Sequence, residues 1–324
     1  MTEGALIDRL DHTVDVILQR GDATAALKDL ELAPLARVAA DLRHYPSPQF
    51  KARLRANLER STTMSSAATS SAIVTTRARE GFTTITPYLR VREAGLPDFL
   101  TRVFGAVETR STPIGAGQQR EVRIGNSMIM IGEGGPQRVV PFRPAEFHVY
   151  VEDVDAAFQR ALAAGATSLG ELANRPYGER AGFVRDAFGN HWFIATHLGG
   201  SYVPEDLRTV TPFVHLEAVA RYIEFLKRAF GAVEEGRHAA AEGRVMYARL
   251  RIGNAAIELG EAEGPVASMP GAFYLYVGDA DALYEQALGA GAKSLSPPAD
   301  QPYGDRVAVV EDSAGNQWLI ARPA

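Results

Sequence analysis

Two glutamates and two histidines carry the chemistry that this sequence can be expected to do. Glu146, His148 and Tyr150 alternate along one apolar run, and Thr211, Phe213 and His215 along another. Side chains of a β-strand face alternately to its two sides, so each trio shares a face. His191 and Phe193 share a face in the same way. A Glu–His set in a partly apolar surrounding can move protons, because burial raises a carboxylate's pKa toward working pH. The same groups could also bind a metal in a displaced arrangement. Taken singly, each histidine equally fits a half-buried strand position satisfied by local hydrogen bonds. Thiol chemistry is excluded: the chain has no cysteine, hence no disulfide, thiolate ligand or cysteine nucleophile.

The elements that must position these residues are written twice. Thr86-Pro87-Tyr88 returns as Thr211-Pro212-Phe213, and Phe104-Gly105-Ala106-Val107 as Phe230-Gly231-Ala232-Val233. Arg123-Ile124-Gly125-Asn126 returns at Arg251-Ile252-Gly253-Asn254, Pro176-Tyr177-Gly178 at Pro302-Tyr303-Gly304, and Gly189-Asn190-His191-Trp192 as Gly315-Asn316-Gln317-Trp318. The offset stays between 125 and 128, which means duplication of a whole domain and not a short solenoid repeat. Within the first copy, strands are expected at Ile85–Val91, Val107–Arg110, Gln118–Ile124 and Ser127–Ile131, with a helix at Pro97–Val103 ended by Gly105. A second round has a strand at Phe147–Val151, a helix at Val154–Ala163 and strands near Ala181–Arg185 and His191–Thr196. The order is βαβββ twice per copy, with copies at 83–198 and 209–324.

Residues 1–60 read as a separate helical segment. Leu6, Ile7, Leu10, Val14, Ile17 and Leu18 follow helical spacing, as do the stretches 35–42 and 50–58, the last opened by Ser47-Pro48. A Ser/Thr/Ala-rich linker covers 61–82. Arg43, Lys51, Arg53, Arg55 and Arg60 form a basic run that fits a solvated face; the segment could pack on the body, mediate a homodimer or meet a protein partner. A formal net charge of -5 gives no reason to expect nucleic acid or an anionic membrane as partner. The opening residues lack a signal peptide's basic and apolar stretches, and no apolar run reaches membrane-spanning length, so a cytoplasmic location is expected.

The repeated motifs resemble the vicinal oxygen chelate superfamily, the glyoxalase/bleomycin-resistance/dioxygenase fold, and within it the PhnB-like glyoxalase-like proteins. The residues that carry the resemblance are Thr-Pro-Tyr/Phe, Phe-Gly-Ala, Arg-Ile-Gly-Asn, Val151-Glu152-Asp153-Val154-Asp155, the Tyr-Gly-Glu/Asp-Arg turn at Tyr177 and Tyr303, and the closing Asp-x-x-Gly-Asn-x-Trp. It implies an α+β fold: two tandem domains built from four βαβββ modules, preceded by the small all-α segment. Such a fold hosts many chemistries, so it does not assign one. The repeated glycines read as turn residues, Trp192 and Trp318 as core or cavity-wall aromatics, and Arg180 and Arg306 as loop anchors.

The resemblance also implies a cup of curved sheet that commonly holds a divalent metal on His and Glu side chains. Carried over strand by strand, the ligand positions fall on Thr86 and Thr211, Met130 and Glu258, Glu146 and Ala272, and Phe193 and Leu319. A further histidine position becomes Gln119 and Tyr247. Only Glu146 and Glu258 can ligate strongly, so no metal or other cofactor is expected. If modules pair within each copy, those glutamates stand in different cups; if modules are exchanged between copies, one cup receives both. The exchanged cup would gather Glu146, Glu258, His148 and His215 as catalytic candidates, with Tyr150, His191, Phe193, Thr211, Phe213 and Tyr247 around them. The other would be lined by Tyr88, Arg90, Gln119, Met128, Met130, Tyr274, Tyr276 and Leu319, which suits an apolar ligand bearing an acidic or carbonyl group and suits ordinary core packing as well.

Three functions follow as expectations. The first is a metal-independent binder of an aromatic or polycyclic small molecule, of the bleomycin-resistance kind. The second is a lyase, isomerase or cyclase using Glu/His proton transfer. The third is a ligand sensor acting through its N-terminal helices.

Overall fold

A computed structural model describes residues 78–135, 140–240, 243–263 and 267–324. The expected helical segment, its basic run and nearly all of the linker lie outside the described residues. Four βαβββ modules follow one another. The first is β1 (Ile85–Val91), α1 (Leu96–Phe104), β2 (Val107–Ile114), β3 (Gly117–Ile124) and β4 (Ser127–Gly134). The second is β5 (Glu146–Tyr150), α2 (Val154–Ala163), β6 (Thr167–Arg175), β7 (Glu179–Arg185) and β8 (His191–His197). The third is β9 (Val210–Leu216), α3 (Val219–Phe230), β10 (Val233–Ala239), β11 (Val245–Ile252) and β12 (Ala255–Glu261). The fourth is β13 (Ala272–Tyr276), α4 (Ala280–Gly289), β14 (Lys293–Asp300), β15 (Arg306–Glu311) and β16 (Gln317–Arg322).

Local chemistry explains the elements. Helix α2 starts where the Asp153 carboxylate accepts the Ala156 N–H at 2.9 Å, and α4 where Asp279 does the same for Ala282 at 3.0 Å. Gly105 and Gly231 end α1 and α3 in the left-handed region, at φ 66° and 64°, where a side chain would be strained. β6 was not placed by sequence pattern. It is a mostly exposed edge strand whose residues, Thr-Ser-Leu-Gly-Glu-Leu-Ala-Asn-Arg, show no buried alternation. Edges β2, β10 and β14 are likewise charged or proline-bearing, which discourages pairing with another chain.

The modules are exchanged between the copies. One eight-stranded sheet runs β10-β11-β12-β9-β5-β8-β7-β6, joining modules two and three; the other runs β14-β15-β16-β13-β1-β4-β3-β2, joining modules four and one. We term them the central and flanking sheets. In the central sheet β5 pairs antiparallel with β9, Glu146 opposite Phe213 and His148 opposite Thr211. In the flanking sheet β1 meets β13, Thr86 opposite Tyr274.

The apolar cores follow the copies instead. Leu96, Leu100 and Val103 of α1 share one cluster with Val154, Phe158 and Ala161 of α2, while Tyr222, Phe225 and Leu226 of α3 share another with Leu283 and Ala287 of α4. Each copy is thus bound by its helices and each sheet is shared across copies.

The repeated motifs are the fasteners. Asn126 accepts the Thr209 N–H at 2.9 Å, tying the β3–β4 turn to the start of β9, and Asn254 accepts the Thr84 N–H at 2.8 Å in the reciprocal place. Trp192 and Trp318 are fully buried and donate their indole N–H to Asp186 at 2.9 Å and Asp312 at 2.8 Å. Asn190 and Asn316 accept the Ala145 and Gly271 N–H groups, seating β5 and β13. Arg180 and Arg306 clamp Asp155 and Asp281 at the helix starts.

Candidate functional site

The exchange puts Glu146 and Glu258 in one cup, on one face of the central sheet. Glu146, buried on β5, lies with both carboxylate oxygens 2.9 Å from Nδ1 of His215 on β9. Glu258, buried on β12, accepts the Tyr247 hydroxyl at 2.6 Å and lies 3.0 Å from Nδ1 of His148. Each glutamate therefore reaches a histidine belonging to the other sequence copy.

A third carboxylate completes the cup. Glu179, the first residue of β7, accepts the Tyr150 hydroxyl at 2.9 Å and stands 3.3 Å from Nε2 of His148. Sequence reasoning missed it, because the Tyr-Gly-Glu/Asp-Arg turn was read through its arginine as a loop anchor. The available signal was alternation: Arg180 points out to Asp155, so Glu179 points in.

His148 thus sits between two carboxylates. Burial alone would lower its pKa, but Glu258 and Glu179 raise it to about 10, so the ring stays an imidazolium at neutral pH. Burial would raise the Glu179 carboxyl, and its bonds to His148 and Tyr150 draw it below the ordinary value. Burial and the neighbouring carboxylates push the Tyr150 and Tyr247 hydroxyls far up, so both remain neutral donors.

Aromatic rings floor this cup. Phe193 stacks on Phe183 at 4.0 Å and leans on Phe213 at 5.2 Å, and Phe213 lies 4.6 Å from the His215 ring. Thr211 is buried opposite His148. His191 faces Glu146 in register and meets Phe183 edge-on at 5.2 Å; burial lowers its pKa, and it is a neutral wall residue.

The flanking cup differs. It holds a cavity of about 300 Å³ lined by Gln119, Met130, Tyr274 and Tyr276, together with Arg79, Glu121, Tyr303 and Asp305 that sequence reasoning did not place there. Asp305 occupies in this cup the motif position that Glu179 occupies in the other. Arg79 pairs with Glu121 at 2.5 Å and stacks on Phe82, which meets Tyr276 edge-on. Tyr88, Met128 and Leu319 pack with Met130 and Tyr274 in the wall cluster and do not line the cavity itself. Arg90 does not reach it either. Its side chain passes over Gly132 and stacks on Phe142, 4.6 Å from the ring centre.

At the four positions carried over from the superfamily, Glu146 contacts His215, Glu258 contacts Tyr247 and His148, and the others are Thr211 and the stacked Phe193 ring. His148, Glu179 and Glu258 adjoin one another through direct contacts, and no group of three His, Asp or Glu placed to hold a metal ion is found among the described residues.

The family model described as the Glyoxalase/Bleomycin resistance protein/Dioxygenase superfamily matches residues 97–194 and again 217–320. The chain belongs to that superfamily. Among members and neighbours, an uncharacterised protein of Mycobacterium bovis is 33% identical over 125 residues, 35% of this chain and 82% of that protein. CFP32 of Mycobacterium bovis, named as a candidate glyoxylase, is 26% identical over 196 residues, 59% of this chain and 73% of its own length. Glyoxalase I from Zea mays superposes with a TM-score of 0.57 at 14% identity, covering 74% of this chain and 92% of that one, a likeness of fold. Among the described residues no helix is long and apolar enough to cross a membrane.

Proposed function

We propose that this superfamily member binds an apolar, aromatic small molecule in its flanking cup without a metal or other cofactor, as a cytoplasmic protein with no nucleic-acid or membrane partner. The observation that carries the reading is the 300 Å³ cavity walled by Met130, Tyr274, Tyr276 and Tyr303. Its size falls at the small end of ligand pockets, and an apolar wall with a few convergent polar groups is their usual make-up. Methionine beside tyrosine offers polarizable contact to a flat ring. Gln119 and Asp305 provide the polar contacts that would orient it. Burial raises the Asp305 carboxyl, which suits it to a hydrogen-bonding partner. The test is a fluorescence titration with a panel of planar aromatics, on the full chain and on Met130→Trp, which fills the cavity. Saturable binding that Met130→Trp abolishes supports the reading; binding untouched by Met130→Trp rejects it.

A second reading concerns the central cup, where the Glu146–His215 contact favours a metal-independent lyase, isomerase or cyclase. Glu146 accepting the Nδ1–H would fix the tautomer in which Nε2 is basic. That nitrogen would take the proton from a carbon next to a carbonyl, and the pair left behind would move to the carbonyl oxygen as an enolate. The His148 imidazolium is the cation available to stabilise that charge. Glu146→Gln should then lose turnover while retaining ligand binding, and unchanged turnover would exclude the dyad.

A further inference from the structure

Three arginines come together at the seam between the first and second modules. Arg90 and Arg92 leave the end of β1, and the segment leading into β5 lays Phe142 and Arg143 across them, Arg143 bridging to Arg90 through the backbone. The guanidinium carbons of Arg90 and Arg92 lie 4.6 Å and 4.8 Å from the centre of the same Phe142 ring. These three arginines, with Phe142, Pro144 and Phe188, line a cavity of about 300 Å³. Glu93 is the one carboxylate among the lining residues, and it is exposed.

Arg90 and Arg92 bring two like charges to one ring, and Arg90 also donates to the Gly134 carbonyl at 3.2 Å. Several other arginines are matched by a carboxylate: Arg79 with Glu121, Arg120 with Glu133, Arg180 with Asp155, Arg306 with Asp281. Arg92 and Arg143 have no such ion pair among the described residues. Arg92 stacks on Phe142, and Arg143 donates to the Gly315 carbonyl at 2.6 Å, with Glu311 and Asp312 acting on it from farther off. Aromatic stacking orders a guanidinium while leaving its N–H edge free to bind an oxyanion.

We propose that Arg92 and Arg143, beside the Phe142 ring, form a binding site for an organic oxyanion, a carboxylate or phosphate monoester carried on an apolar group. The guanidinium forks match the oxygens of either anion, and Phe142, Pro144 and Phe188 give the attached group a surface. This site is separate from the cavity of the flanking cup and does not rest on the function proposed for it.

Isothermal titration of the full chain at low ionic strength decides the matter, with phenyl phosphate, benzoate and uncharged benzyl alcohol as probes. Saturable binding of phenyl phosphate or benzoate, none of benzyl alcohol, and an affinity that falls as salt rises are expected. Which anion binds more tightly separates a phosphate ligand from a carboxylate one. Arg92→Gln and Arg143→Gln should each weaken binding by about tenfold or more. Met130→Trp, which fills the other cavity, should leave it unchanged. Absence of saturable binding, equal binding of benzyl alcohol, or full affinity in Arg92→Gln would overturn the proposal. Arg92 is exposed, so its variant keeps the fold and stays decisive even where Arg143→Gln, which loses the Gly315 contact, does not.

Discussion

Glu146 and His215 belong to different sequence copies, yet they lie 2.9 Å apart in one sheet. Their contact exists because β5 and β9 pair at the centre of that sheet. Replacing Glu146 by Ala leaves a buried imidazole without its acceptor, at a cost of about 1–3 kcal/mol. Urea denaturation should register that loss, and the double variant Glu146→Ala/His215→Phe should recover part of it. Additive losses would mean that the two side chains act independently.

The His148 cluster predicts a pH dependence of known sign. Its pKa is raised from 6.5 to about 10 on folding, so its contribution to stability is fully present below pH 6.5 and disappears as pH rises through 10. Glu179 is depressed on folding, so its contribution is present above the ordinary carboxylate range and disappears as pH falls through its lowered value. The stability of His148→Gln relative to the parent should therefore converge on it at high pH. An NMR titration that found the His148 ring neutral at pH 8 would contradict this arrangement.

Gly260 is expected to act on the site without touching it chemically. A Cβ there would stand 2.5 Å from both Cδ2 and Nε2 of His215. Gly260→Ala must push the imidazole off Glu146 or bend β12, costing roughly 1–3 kcal/mol. The His215 ring resonances should shift markedly; unperturbed resonances would refute the packing described.

Module exchange has a direct consequence for a divided chain. Each copy alone would expose the first strands of both its modules as unpaired edges, β1 and β5 or β9 and β13. Co-expressed fragments 78–200 and 201–324 should therefore purify as a one-to-one complex. Two separately soluble, folded monomers would argue against exchange.

Much of this was legible in the chain because it is encoded locally. Helix α2 begins at its Asp153 cap and covers the expected Val154–Ala163, and the closing Asp-x-x-Gly-Asn-x-Trp motif announced a buried tryptophan. Strand alternation put His148 beside Glu146's face and His215 beside that of Phe213. Three things were hidden. β6 lacks a buried face, so period-two alternation had nothing to register. Glu179 has its meaning only beside Tyr150 and His148, residues of another strand. Arg90 alternates toward the flanking cup, and only the crossing of Phe142 shows where its guanidinium is held.

The amino-acid sequence by itself determined four βαβββ modules in two copies, with their glycine turns and caps. Those are properties of neighbouring residues, set by side-chain period and backbone preference. Only the tertiary structure decided which module meets which, and hence that Glu146 and Glu258 share a cup while Met130 and Tyr274 share the other. Either pairing satisfies the same strand patterns. The observed pairing is accompanied by contacts between residues far apart in the chain, such as Asn126 with Thr209 and Asn254 with Thr84, whose partners no local pattern reveals.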